Sequence, residues 1–334
     1  MIRTHALTKT YQVPLKEPGL WNSVRSLFNR EYRDVRAVDE IELTVEPGER
    51  VGFLGPNGAG KTTTLKMLTG LLYPTSGSCE VAGYTPSGRH PDFLRSVTLV
   101  MGQKQQLLWD LPPTETFALN RALFDVPRAA FREIRDELVE LLELGAFMDQ
   151  PVRNLSLGQR MRCELAASLL HRPKVLFLDE PTIGLDVQVQ RTVRRFVKEY
   201  QRRHEATVML TSHDMSDVGA IAERIVLIDQ GVIRFDGRLE AFQQTFGGGR
   251  RVVTRSSDGL EDLGFVADEP GRWVATVGPE QVNGLLGEVL QRHPDADVTV
   301  EDPPLEEVLA TAFARERDPE SNLVDNPETT REDA

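Results

Sequence analysis

Apolar and polar positions fall into two patterns along the chain. In the first, short apolar runs alternate with helical periodicity. Val51-Gly52-Phe53-Leu54, Val175-Leu176-Phe177-Leu178 and Thr207-Val208-Met209-Leu210 have the length of buried strands. Strands of this kind separated by helical stretches predict an α/β domain on a mostly parallel sheet. Between Thr114 and Gly145 the signal is helical without a strand candidate, which predicts a helical insertion over about 104–170. Ile225–Ile228 and Val232–Phe235, joined by Asp229-Gln230-Gly231, read as a hairpin closing this unit near residue 246.

The second pattern follows Gly247-Gly248-Gly249, a run that reads as a linker. Over 250–315, Val282, Leu285, Leu286, Val289 and Leu290 share one helical face, as do Leu305, Val308, Leu309, Ala312 and Phe313. Strand-like segments (Arg251–Arg255, Trp273–Val277, Val298–Glu301) precede or separate the two helices, giving a small α+β domain. A unit this small is marginally stable alone, so it is expected to pack on the first unit or on a symmetry mate.

Composition sharpens the picture in three places. No apolar run approaches the roughly 18 residues of a membrane span, and the N-terminus lacks the charged-then-apolar pattern of a secretory signal. The net charge of −12 argues against a general nucleic-acid binder. Much of that charge sits in 316–334, where Glu316, Asp318, Glu320, Asp325, Glu328, Glu332 and Asp333 face only Arg317 and Arg331, the composition of a disordered acidic tail. Cys79 and Cys163 stand in no metal or redox spacing and read as small buried side chains in a reducing cytoplasm.

The chemistry is concentrated in the first unit. Gly55-Pro56-Asn57-Gly58-Ala59-Gly60-Lys61-Thr62, followed by Thr63, matches the phosphate loop G-x-x-x-x-G-K-[ST] between a strand and a helix. Its glycines let backbone N–H groups turn toward phosphates, and the helix N-terminus adds a positive field. Lys61 is placed to reach the β- and γ-phosphates of ATP, and Thr62 to supply a hydroxyl to Mg²⁺. The strand Val175–Leu178 ends in Asp179-Glu180, adjacent carboxylates that need a cation between or beside them. Asp179 suits the holding of Mg²⁺, and Glu180 the acceptance of a proton from attacking water. Ser156, ahead of a helix, is a good N-cap and on that ground alone marks only a helix start.

Together these motifs, with Leu155-Ser156-Leu157-Gly158-Gln159, Pro181-Thr182-Ile183-Gly184-Leu185-Asp186 and Ser212-His213-Asp214 in this order, resemble the nucleotide-binding subunit of ABC transporters over about 1–247. The resemblance implies an ABC ATPase fold: a P-loop NTPase core with an inserted helical subdomain and an antiparallel β subdomain. It implies that Tyr11 stacks on adenine, that Gln103 contacts Mg²⁺ and the attacking water, and that His213 contacts the γ-phosphate. Ser156, Gly158 and Gln159 match the signature that closes over ATP held by the opposite subunit, so ATP is expected to close a homodimer. Asp186 matches the aspartate linking the two sites, beside its plain reading as a turn residue. The chain departs from the family in having Leu157 where glycine is usual.

Val300-Glu301-Asp302-Pro303-Pro304-Leu305-Glu306-Glu307-Val308 resembles the C-terminal domain of ATPases that serve ABC-2 type exporters, which implies polytopic permease partners at the cytoplasmic face of the membrane. The apolar loop Leu107, Leu108, Trp109, Leu111 and Pro112 suits such a partner. An extra segment over about 13–36 places Leu20, Val24, Leu27 and Phe28 on one helical face beside Trp21, with Lys16, Arg25, Arg30, Arg33 and Arg36 around it. It reads either as a surface helix packed locally or as an interfacial helix at anionic lipid headgroups. The alternative to the transport reading is a soluble ABC ATPase of translation or DNA maintenance. The first usually carries two such cores in one chain and the second long coiled coils, and neither pattern is present.

Overall fold

The computed structural model describes residues 1–14, 32–102, 104–255, 260–269 and 271–317. Gln103, the centre of the extra N-terminal segment from Lys16 to Arg30, and the acidic tail beyond Arg317 lie outside the described residues. The chain divides into two compact units, Met1–Asp236 and Gly237–Ala334.

The first unit contains β1 (Ile2–Pro14), β2 (Tyr32–Val45), β3 (Arg50–Leu54), α1 (Lys61–Leu68), β4 (Ser76–Val81), α2 (Pro91–Ser96) and β5 (Val97–Met101). The helical insertion follows as α3 (Pro113–Leu123), α4 (Arg128–Leu141) and α5 (Leu157–Leu169). The chain then returns to the sheet through β6 (Val175–Asp179), α6 (Val187–His204), β7 (Thr207–Thr211), α7 (Met215–Ile221), β8 (Arg224–Asp229) and β9 (Val232–Arg238). The main sheet has the order β5-β6-β7-β3-β8-β9, and its first five members pair in parallel.

Covered on both faces, these strands are continuously apolar rather than alternating. The period of two still sorts their side chains. Leu176, Leu178, Val208 and Leu210 enter one core with Phe117, Leu138, Leu165 and Phe196 of the helices. Val175, Phe177 and Met209 face the opposite way, into a second core with Ile2, Leu7, Ile41, Phe53 and Leu65. That second core lies beneath a separate antiparallel sheet of order β2-β1-β4. Because β3 and β6 run parallel, the loops at their carboxyl ends emerge at the same edge, where α/β sheets bind ligands.

Arg33 and Arg36 differ from the helical reading of the N-terminal segment, since both lie in β2. The β1–β2 ladder continues outward through Tyr11↔Val35 to Pro14↔Tyr32. Tyr11, Val13, Tyr32 and Val35 all have strong strand preference, and they extend the pairing into the end of the extra segment, where Arg33 and Arg36 read as basic residues around a helix.

In the second unit, α8 (Leu239–Phe246) precedes β10 (Arg250–Arg255), β11 (Val266–Glu269), β12 (Arg272–Val277), α9 (Val282–Arg292), β13 (Asp297–Glu301) and α10 (Leu305–Arg317). The strands form an antiparallel sheet of order β11-β12-β10-β13. Val252, Phe265, Ala275, Val282 and Val289 fill its core. Helix α8 packs against α10, so this unit begins ahead of the glycine run rather than after it. Gly249 is itself tightly enclosed: φ is 144°, and a Cβ there would stand 2.4 Å from the Val277 carbonyl oxygen. The run is a close turn into β10, not a slack tether. Among the described residues no helix is long and apolar enough to cross a membrane.

Candidate functional site

The phosphate loop leaves β3 and ends at Gly60, which precedes α1 with φ 109°. A Cβ at Gly60 would stand 2.4 Å from the Ala37 carbonyl oxygen, so glycine is required by both backbone and neighbour. No side chain caps α1, which leaves its first-turn N–H groups for a ligand. Lys61 is 8% exposed, and its ammonium folds back over the loop, donating to the carbonyls of Gly55 (2.6 Å) and Pro56 (3.0 Å). Burial lowers its pKa, and the neighbouring Glu180 and Asp179 carboxylates oppose that shift.

Asp179 ends β6 opposite Thr211 of β7. Its carboxylate accepts from the Thr211 hydroxyl at 2.6 Å and from the Thr62 hydroxyl at 3.1 Å, which ties β6, β7 and α1 together. Glu180 follows in the left-handed region, φ 54°, with its N–H bonded to the Thr211 carbonyl at 3.1 Å. That turn directs its carboxylate into the cleft. One oxygen accepts the His213 backbone N–H at 3.1 Å. The other, Oε1, lies 3.3 Å from His213 Nε2 without the alignment of a hydrogen bond, and is a buried acceptor with no donor. Burial raises the Glu180 pKa, with His213 and Lys61 partly offsetting it.

Asn57, Gly58, Gly60, Lys61, Thr62, Thr63, Gly102, Asp179, Glu180 and His213 line one cleft of about 660 Å³. Gln103 falls outside the described residues, but its neighbours Gly102 and Lys104 are on the cleft wall. Tyr11 is not part of the lining; it is 38% exposed on β1, with the Lys9 ammonium 5.5 Å from its ring centre.

Ser156, Gly158, Gln159 and Asp186 are also outside this cleft. Ser156 caps α5 in a complete capping box, exchanging bonds with Gln159 at 2.9 and 3.2 Å. Asp186 caps α6 through the Val189 N–H at 3.0 Å. Gly158 packs on that same Val189, whose Cγ2 would lie 2.8 Å from an added Cβ. The start of α5 and the turn before α6 therefore form one adjoining surface, on which Leu157 is exposed.

Two contributors escape a motif reading. Thr211 is the first, since its bond to Asp179 depends on strand register. The second is Asp217 on α7, fully buried. It accepts from the hydroxyls of Thr182 and Ser212 and from Arg194 Nε at 2.5 Å. Arg194 also pairs with Asp214 at 2.9 Å. This cluster braces the segments that follow Glu180 and flank His213. The only sequence signal was the position of Thr182 and Ser212 inside motifs.

A phosphate loop at the end of β3, with an acid pair at the end of β6 in the same parallel sheet, defines a P-loop nucleotide-binding protein. Residues 38–183 match the family model described as ABC transporter. Daunorubicin resistance ATP-binding protein DrrA3 of Streptomyces coeruleorubidus is 32% identical over 297 residues, spanning 84% of this chain and 92% of that protein. Spermidine/putrescine import ATP-binding protein PotA of Thermobifida fusca (strain YX) is 28% identical over 330 residues, 88% of this chain and 85% of its own. ABC transporter A family member 1 of Dictyostelium discoideum is 32% identical over 76% of this chain, which spans only 29% of that protein's length. Among solved structures, an ATP-binding subunit of an ABC transporter superposes with a TM-score of 0.62 at 20% identity, over 74% of this chain and 93% of its own. A dimeric post-hydrolysis ATP-binding cassette bound to ADP and Pi gives 0.59 at 23%, over 72% and 99%. The chain belongs to the ABC transporter family, as an ATP-binding and ATP-hydrolysing subunit.

Proposed function

We propose that this chain powers export, as the Mg²⁺-dependent ATPase of an ABC-2 type transporter, working as a dimer on polytopic permease subunits at the cytoplasmic face of the membrane. The observation that carries the ATPase part is the convergence of Lys61, Thr62, Asp179, Glu180 and His213 on one cleft. Lys61 leaves the loop carbonyls to pair with the phosphates. Glu180 Oε1, a buried acceptor without a donor, takes the proton of the attacking water. His213 contacts the γ-phosphate, and Tyr11 stacks on the adenine.

The Thr62 hydroxyl and the Asp179 carboxylate are hard oxygen donors 3.1 Å apart, and they suit an ion that keeps phosphate and water oxygens for its other positions. These two residues, with Gln103, would hold Mg²⁺, which offsets phosphate charge when bound.

Dimerisation is supported by the position of Ser156 and Gly158 outside the cleft of their own subunit, from which they would close the cleft of another. Asp186, on the same surface, links the two sites. The permease would take the loop beyond Gly102, where Leu108, Trp109 and Leu111 are exposed; Leu107, expected in that patch, is buried. Export is favoured by the sequence Val300–Val308, which the fold places from the end of β13 to the first turn of α10. The N-terminal segment between β1 and β2 would touch the membrane surface, and no nucleic acid is expected as a partner.

Tagged protein isolated from native membranes tests this reading. Co-purification of a polytopic permease, with ATPase activity abolished by EDTA, is the expected result. Co-purification with ribosomes or DNA instead would overturn it.

A further inference from the structure

Glu164 is a charged side chain on α5, only 4% exposed and engaged with a segment far away in sequence. We propose that it is a positioning residue for hydrolysis: its carboxylate fastens the loop leaving the nucleotide cleft to the helix that Ser156 begins. The loop starts on the cleft wall at Gly102 and Lys104 and turns at once, with the Lys104 N–H bonded to the Met101 carbonyl at 3.0 Å. Two residues later the Gln106 N–H donates to both Glu164 oxygens, at 3.0 and 3.1 Å, and the Leu107 N–H to Oε1 at 3.2 Å. The Gln106 side-chain amide completes the clasp by donating to the Glu164 carbonyl at 3.1 Å.

Consecutive peptide N–H groups converging on one carboxylate are an arrangement that a neutral side chain reproduces only in part, because charge-assisted bonds are the stronger ones. Burial raises the Glu164 pKa against these bonds, so the site bears a desolvation cost that simple packing would not require. Arg160, one turn nearer the helix start, offsets some of it. The clasp stands about two turns along α5 from Ser156, and a helix over that distance moves as a rigid rod. A change at Gly102–Lys104 is thereby delivered to Ser156–Gln159. The proposal rests on the reading above, in which Ser156 closes a partner's cleft.

The test uses the full chain with MgATP and compares wild type, Glu164→Ala and Glu164→Gln. In Glu164→Ala we expect kcat to fall about tenfold while ATP affinity stays within about threefold, because no cleft residue is touched. Glu164→Gln keeps one acceptor and should recover kcat to within about threefold of wild type. Amide exchange at Gln106 and Leu107 should accelerate in Glu164→Ala. MgATP should still protect 55–62 there, but no longer 155–159.

Glu164→Ala with kcat within about twofold of wild type overturns the proposal. So does a parallel loss of kcat and affinity that Glu164→Gln does not recover, the signature of a purely structural role. Should Glu164→Ala fail to fold, Gln106→Pro removes the Gln106 N–H and its side-chain amide and leaves the Leu107 N–H on the carboxylate; wild-type turnover in that variant overturns the proposal equally. Absence of MgATP-induced protection at 155–159 in the wild type itself would remove the dimer reading, and this inference with it.

Discussion

The nucleotide cleft and the surface carrying Ser156 and Asp186 are built from similar residues and left in opposite states. In the cleft, α1 has no cap, Lys61 rests on its own loop carbonyls, and Glu180 Oε1 accepts nothing. On the surface, Ser156 and Gln159 satisfy each other, Asp186 holds the Val189 N–H, and Gly158 is packed on the Val189 side chain. One region keeps unmet polar groups in place for a ligand. The other has committed its side chains to helix starts; in the proposed dimer, its approach to a phosphate would come from movement of α5 as a body. Substitutions should therefore separate cleanly: chemistry fails in the cleft, while assembly and helix stability fail on the surface.

The largest effect is expected for Lys61→Ala. Removing this loop-bonded cleft lysine should lower steady-state ATPase turnover by about 10²-fold or more, the range for loss of a charge-stabilising group. Undiminished turnover would break the contrast at its strongest point. Next comes Ser156→Arg, placed in the Glu180→Gln background so that ATP is bound but not consumed. Light scattering should find monomer with ATP where the Ser156 parent is dimer, and an equal dimer fraction would mean that the surface does not close a second site.

The pH profile gives a smaller but directional signal. Glu180 must be ionised to accept a proton, and burial raises its pKa, so kcat/KM should fall on the acid side at a pH above the ordinary carboxylate range. Burial lowers the Lys61 pKa, which moves the alkaline limb below the ordinary lysine range. Limbs at the unshifted positions would show that neither group is held as described. The smallest effect belongs to Asp186→Ala. Loss of the α6 cap should cost about 1 kcal/mol in thermal or denaturant unfolding of the nucleotide-free protein.

The same contrast explains what could be read from the sequence. The phosphate loop and Asp179-Glu180 are contiguous, and each carries its chemistry within a few residues, so both were legible before any fold was known. Thr211 was not, because its bond to Asp179 exists only once β6 and β7 pair in register. Strand β5 was also hidden: Val97–Met101 follows directly on α2 without a turn signal, at the edge of the sheet. Glu164 offered one clue, a lone acid among apolar residues on a buried helical face, but its partners lie 57 and 58 residues away. The N-terminal segment misled in another way. Arg33 and Arg36 read as basic residues around its helical face, but their strand character is fixed by pairing with β1 rather than by local pattern.

The most direct measurement compares Glu180→Gln and Asp179→Asn by nucleotide affinity and single-turnover hydrolysis. Glu180→Gln keeps size and an acceptor but cannot take the proton, so the rate should fall by ~10²–10⁴, about 3–5 kcal/mol of barrier. Its ATP affinity should hold, because Lys61, Thr62 and Asp179 remain, and the protein should accumulate as an ATP-bound dimer. Asp179→Asn should lose Mg²⁺-dependent binding together with hydrolysis. A Glu180→Gln protein that hydrolyses ATP within about threefold of wild type would contradict the assignment of the base, and with it the account of why that buried oxygen is left without a donor.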